Sequence, residues 1–166
     1  MIDRYPTGTP YGRLSSVADE RLTGLWSDEI LHPGSVEYVD LAFRRDCSGW
    51  FYWKSWSTGF SVSRFTWATP DALIVKFHRT LDGRWATDNG VTRHEVESDE
   101  EDESVIELGY EIAPGEDPFG TPVTLLSLDR PLIAYLAGSQ FAWAEEPESL
   151  SDPSADAPRP DPSSRR

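Results

Sequence analysis

The sequence has one cysteine, one methionine and three histidines in 166 residues. A lone Cys47 excludes an internal disulfide, and with it the disulfide-stapled secreted scaffolds. His32, His78 and His94 lie in three separate segments without a cysteine or carboxylate at ligand spacing, so no zinc site or other metal centre is expected. Apolar runs are short, and none approaches the roughly 20 residues of a membrane span. The opening "MIDRYPTGTPYGRL" has neither the basic start nor the apolar core of an export signal. The chain is therefore read as cytoplasmic, with no membrane partner. Basic residues are also scarce, 15 against 29 acidic ones, and form no stripe along the chain. Nucleic acid is excluded as a partner on that ground, because phosphate binding requires such a stripe.

The signatures of covalent and nucleotide chemistry are missing too. No glycine loop is spaced to cradle phosphates, and Ser139 and the other serines lack a G-x-S-x-G context. Cys47 has Arg44 and Arg45 nearby but no histidine partner, so it reads as an inert turn thiol. No cofactor and no catalytic residue is assigned. A cofactor-free barrel enzyme of the cyclase or isomerase type stays open, with Tyr52, Tyr110, Arg79 or His78 as acid, base or orienting group.

The net charge of -14 is concentrated in two places. Residues 95–117 carry eleven acids and no base, residues 144–166 carry six acids and three arginines, and the rest is formally neutral. The run "ESDEEDES" reads as a solvated hairpin tip, or as a docking loop for a basic protein partner through Glu100, Glu101 and Glu103. Asp99 to Glu103 lacks EF-hand spacing, which limits it to loose cation binding.

What the sequence has in abundance is aromatic residues, 12%, set in short β-like segments. Its length suits one domain with a continuous core. Residues 1–15 read as an irregular lead segment, 16–146 as the folded domain and 147–166 as a disordered acidic, proline-rich tail. "SSVADERLTG" predicts a short helix opened by Ser16, with Asp19 three residues on, and ended by Gly24. Candidate strands follow at 25–31, 36–44, 50–57, 60–68, 72–79, 91–97, 104–112 and 121–128. The separators "HPGS", "RDCSG", "STG", "ATPD", "TLDGRWATDNG", "SDEEDE" and "APGEDPFG" mostly suit tight antiparallel connections. Such a meander hides its edges by closing into an eight- to nine-stranded antiparallel up-and-down barrel, with a two-sheet sandwich as the alternative. Beyond residue 128 the chain either opens a short helix at Asp129 and Pro131 or crosses to a last strand around Phe141 and Trp143.

The stretch "SGWFYWKSWSTGFSVSRFTW" raises the question of what so many rings are for. With a side-chain period of two, Trp50, Tyr52, Lys54 and Trp56 share one face and Phe51, Trp53, Ser55 and Ser57 the other. If "DCSG" is a type I turn with Gly49 left-handed, Phe51 and Trp53 join Val39, Leu41 and Phe43 inside; a one-residue slip exchanges the two sets. In either register both faces carry large rings. Those turned outward, Trp50, Tyr52 and Trp56 in the preferred register, must be covered by the lead segment, by the 131–137 segment, by a second copy in a homodimer or by a protein partner, or else stand as an exposed patch. The inner candidates are Trp26, Leu41, Phe43, Trp53, Phe65, Trp67, Val75 and Phe77, which fill or frame a lumen.

"LTGLW" sets Gly24, Leu25 and Trp26 where a short helix meets the first strand, and Phe65 and Trp67 form an F-x-W pattern after the "RDCSG" turn. This arrangement resembles the G-x-W motif of lipocalins, and the small bacterial lipocalin-like (calycin-type) β-barrels in which a D-G-x-G turn precedes F-x-W. Cys47 stands at the first glycine of that turn, and neither a T-D-Y loop nor a late arginine for the first Trp is evident. The resemblance implies that Trp26 plugs the closed end of a lipocalin-like barrel and that the lumen takes a small hydrophobic or aromatic molecule. That is the leading expectation of function. The alternative is an acidic protein-protein interaction module using the outer aromatic face or the 95–117 hairpin.

Overall fold

The computed structural model describes residues 17–133 and 138–160. The lead segment 1–15, Ser16, residues 134–137 and residues 161–166 lie outside them, and with them part of the helix alternative for the 131–143 region. Among the described residues ten strands form one sheet: β1 (Gly24–Ser27), β2 (Glu37–Phe43), β3 (Ser48–Ser55), β4 (Gly59–Ala68), β5 (Leu73–Asp88), β6 (Val91–Glu101), β7 (Val105–Leu108), β8 (Tyr110–Glu116), β9 (Pro122–Leu128) and β10 (Gln140–Glu145). Their order is β6-β5-β4-β3-β2-β1-β10-β9-β8, and β7 pairs with β5 off that path. Every pairing is antiparallel, as expected of a meander. The path itself is not closed. No helix among the described residues is long and apolar enough to cross a membrane.

The short helix expected before Gly24 is, over the described residues, a 3-10 turn of three residues, Glu20–Leu22. The Thr23 backbone N–H and hydroxyl both return to the Glu20 carbonyl, at 3.1 and 2.7 Å, and so end the turn after one loop. Asp19 is its N-cap and accepts from the Arg21 backbone N–H at 3.1 Å. The Arg21 guanidinium bonded to the same carboxylate holds Asp19 down to a pKa of about 2. Trp26 packs against this turn, fully buried, with its Nε1 donating to the Leu22 carbonyl at 2.8 Å.

The inner face of the sheet is built in the register that puts Val39 opposite Trp53 and Leu41 opposite Phe51. Phe43 falls opposite Gly49, and Gly49 opposite Phe65. A side chain at Gly49 would collide with the Ala42 carbonyl and the Phe65 ring, so the missing side chain lets that ring lie against the backbone. The turn before it differs from expectation in one detail. Cys47, at φ 65°, takes the left-handed position that was assigned to Gly49. Its N–H bonds the Arg44 carbonyl at 3.1 Å, and the Arg44 N–H bonds the Ser48 carbonyl at 2.8 Å, which closes a turn with a bulge. The register is the expected one, reached through a different residue.

Two further differences concern β5 and β6. β5 runs through most of "TLDGRWATDNG", which the sequence suggests as a separator, and only the Asn89-Gly90 pair turns, at φ 49° and 78°. Gly83 looks like a breaker, but it marks a close approach, since a Cβ there would strike the Glu95 carbonyl beside a bulge. The acidic run is likewise strand rather than hairpin tip: Ser98 to Glu101 pair with Asp82 to Arg79, and Asp99 forms an ion pair with Arg79.

Because Trp26 fills the core cluster together with Leu22, Leu41 and Phe43, Trp26→Ala should destabilise the fold by about 3–5 kcal/mol. A denaturant midpoint equal to wild type would contradict that role.

Candidate functional site

The inner face is packed at one end and open at the other. Trp26, Leu41, Phe43, Phe65, Trp67 and Val75 are all buried in one cluster, with the Phe43 ring 5.2 Å from Trp67 and 5.6 Å from Phe65. These six inner candidates therefore fill space rather than line it. Toward the β3–β4 turn the inner positions change character. The cross-strand row Trp53–Ser61–Asp82 and the row Phe51–Ser63–Thr80 replace rings by small polar side chains, and volume is left over.

A cavity of about 470 Å³ opens there. Trp53 and Phe77, the two remaining inner candidates, give it rings, and Leu132 and Ile133 add aliphatic surface. Ser61, Ser63, Thr80 and Asp82 also line it, with Asp102 and Ser104 from the β6–β7 link. Ser63 and Thr80 share a hydrogen bond of 3.1 Å between hydroxyls, and Asp102 accepts from both the N–H and the hydroxyl of Ser104. Trp53 is itself oriented, its Nε1 donating to Glu37 at 3.3 Å. Among the described residues the lining holds two carboxylates and no basic side chain.

Sequence reasoning missed the hydroxyl and carboxylate half of this cavity. Ser61 and Ser63 alternate with Phe60 and Val62, which was a readable signal. Thr80 and Asp82 were not readable, because they face inward only through the bulge at His78, between the pairs Arg64–Arg79 and Phe65–Phe77.

The outer face is a second apolar layer. Trp50 and Tyr52 are only 4% and 6% exposed, whereas Trp56 is 66% exposed. Phe60, Val62, Leu81 and Val96 share the layer, and Leu25, Trp85, Leu150 and Ala157 pack on it. The Tyr52 hydroxyl meets His94 Nε2 at 2.8 Å, and the His94 ring stands edge-on to Phe60 at 4.8 Å. Burial raises the Tyr52 pKa, and burial together with nearby Lys54 lowers that of His94. Trp85 donates to the Ser55 carbonyl at 2.8 Å while Lys54 Nζ lies 4.0 Å over its ring.

The cover includes residues 147–160, a segment whose composition predicts a disordered tail. In the structure it lies along the outer face, held by polar side-chain contacts that composition cannot reveal. A cleft of about 830 Å³ remains between it and the β5–β6 hairpin, with Trp85 and His94 on one side and Pro153 and Ala157 on the other.

The residues considered for acid–base work do not converge. Tyr52 meets His94, the Tyr110 hydroxyl donates to Asp19 at 2.7 Å, His78 bonds Thr66 at 2.9 Å, and Arg79 pairs with Asp99. Glu100 and Glu101 are held in β6 and Glu103 lies in the link after it. Among the described residues no group of three His, Cys, Asp or Glu side chains is placed to hold a metal. Comparison with family models, with curated proteins and with solved structures finds no match to this chain.

One outer-face carboxylate has a pH consequence. Asp40, between Ser27 and Tyr52 across the strands, is pushed up to about 6 by burial, with Glu29, Asp28 and Glu145 adding to the rise and a Ser27 hydrogen bond opposing it. Its folded pKa lies above the unfolded 3.8, so the folded state holds the proton more tightly, and this group stabilises increasingly as pH falls from about 6 toward 4. Asp19 acts oppositely: its contribution, full above 3.8, is lost only as pH falls toward 2. Asp40→Asn should be more stable than wild type at neutral pH, with the gap closing near pH 4. Thermal midpoints across that range check it, and a gap that stays constant would rule out Asp40 as the titrating group.

Proposed function

We propose that this chain is a small-molecule-binding protein whose ligand enters the inner-face cavity. The observation that carries the reading is the change along the inner face, from close-packed rings to an open cavity of about 470 Å³ lined by the Trp53 and Phe77 rings together with serine and threonine hydroxyls. That volume and that mix of apolar wall with a few convergent polar groups are typical of ligand sites.

The architecture behind the reading is a lipocalin-like barrel. We take β7, Gly109 and β8 as one bent strand that serves β5 on one side and β9 on the other, with β6 as an arm outside the barrel. The barrel then has eight members, with Trp26 at its packed end. Its ligand has an apolar or aromatic body to lie on Trp53, Phe77 and Leu132, and a donor-bearing end for Ser61, Thr80 and Asp82. With Asp82 and Asp102 present and no basic side chain among the described lining residues, a hydroxyl or an amine is favoured over a carboxylate.

The test uses 1-aminoanthracene, an uncharged aromatic amine, titrated against the tryptophan fluorescence of the full chain. Saturable quenching is expected, nearly insensitive to salt, and an anionic naphthalene sulfonate probe should bind more weakly. Thr80→Phe, which projects a ring into the cavity from a half-exposed position, should weaken binding at least about tenfold, roughly 1.4 kcal/mol. Full binding by a folded Thr80→Phe variant would show that the probe goes elsewhere.

A further inference from the structure

Residues 147–160 carry four prolines, three acids, one arginine and a single large apolar side chain, Leu150. They are nonetheless tied to the outer face along their length. Arg45 Nε pairs with Glu148 at 2.9 Å, Arg44 donates to the Leu150 carbonyl at 3.2 Å, and Arg64 holds Asp152 at 2.6 Å and the Ser154 hydroxyl at 3.1 Å. Ser154 is 1% exposed. Farther on, the N–H of Val96 on the edge strand β6 donates to the Pro158 carbonyl at 3.3 Å, and Arg159 reaches Asp99 at 2.7 Å.

The surface beneath is basic and aromatic. Arg64 and Arg79 sit directly opposite each other on β4 and β5, an arrangement that repels unless acids neutralise it. Asp152 and Asp99 do so. Beside them the Arg44 guanidinium lies 4.8 Å over the Trp50 ring. The sequence shows no basic stripe because these arginines come from β4, β5 and the β2–β3 turn; the sheet brings them together.

We propose that this face is a docking groove for an extended, acidic, serine- and proline-containing segment of a partner protein, and that residues 147–160 occupy it as a displaceable competitor in cis. The segment shows what the groove reads: a carboxylate and a small hydroxyl at Arg64, a main-chain carbonyl at Arg44 and another at the β6 edge. Contacts to carbonyls at two separated points fit a polypeptide better than a nucleic acid strand. Displacement is inexpensive, because only Leu150 and Ala157 of the segment join the apolar layer and partly exposed ion pairs contribute little each. Tethering gives the segment an effective concentration on the order of millimolar, which masks the groove from weak partners. The proposal is independent of any ligand in the inner cavity.

The probe is a fluorescent synthetic peptide copying residues 146–160, read by anisotropy against the full chain. A Glu148→Ala/Asp152→Ala variant, with its own segment loosened, should bind the peptide at least about tenfold more tightly than wild type. Added Arg64→Ala and high salt should both abolish that gain. A scrambled peptide bound equally well, a single-stranded RNA bound more tightly, or no difference between wild type and a folded double variant would each overturn the proposal. Should the double variant not fold, amide exchange on wild type decides. The N–H groups of Val96, Ala155 and Ala157 must open together and more easily than those of β2–β4, and opening only with global unfolding, or no protection at all, would overturn it.

Discussion

A strand sends successive side chains to opposite faces, and β3 carries a large ring at four consecutive positions, Trp50 to Trp53. No single-sided sheet can bury all four. The remainder of the architecture answers this constraint. Curling of the sheet encloses Phe51 and most of Trp53 with the inner rings, while Trp50 and Tyr52 need a second cover. The long β5–β6 arm supplies part of it, through His94, Trp85 and Val96, and the segment after β10 supplies the rest.

Side chains that are absent matter as much as those present. At Gly24, φ 131°, a Cβ would sit 2.7 Å from the Glu145 carbonyl and the Trp143 indole nitrogen, so β1 and β10 approach only because it is glycine. Gly83 plays the corresponding part where β5 and β6 close over the outer face. Cys47, like Thr58 and Asn89, instead holds a side chain at positive φ, where glycine is the unstrained choice.

How much was legible follows from which forces set each feature. The all-β class, the antiparallel meander and the inner register were readable, because Val39, Leu41 and Phe43 alternate against polar neighbours and a slip would bury Asp40 and Arg44. The extent of β5 was not readable, since Gly83 signals a breaker and a close approach by the same letter. The cavity's Thr80 and Asp82 depend on a bulge at His78 that leaves no trace in local composition. The path of residues 147–160 depends on Arg44, Arg45 and Arg64, about a hundred residues earlier in the chain, while its own composition argues only against an apolar core.

The acidic excess also changes meaning once placed in space. Counted along the chain, the body outside the two acidic segments is neutral; folded, Arg44, Arg45, Arg64 and Arg79 gather on the outer face, and the only charged groups among the described residues lining the inner cavity are Asp82 and Asp102. Asp99, Asp152 and Glu148 come from the two acidic segments and neutralise Arg79, Arg64 and Arg45. Removing those acids from the outer face would leave like charges opposed across β4 and β5, so part of the acidity is structural rather than solubilising.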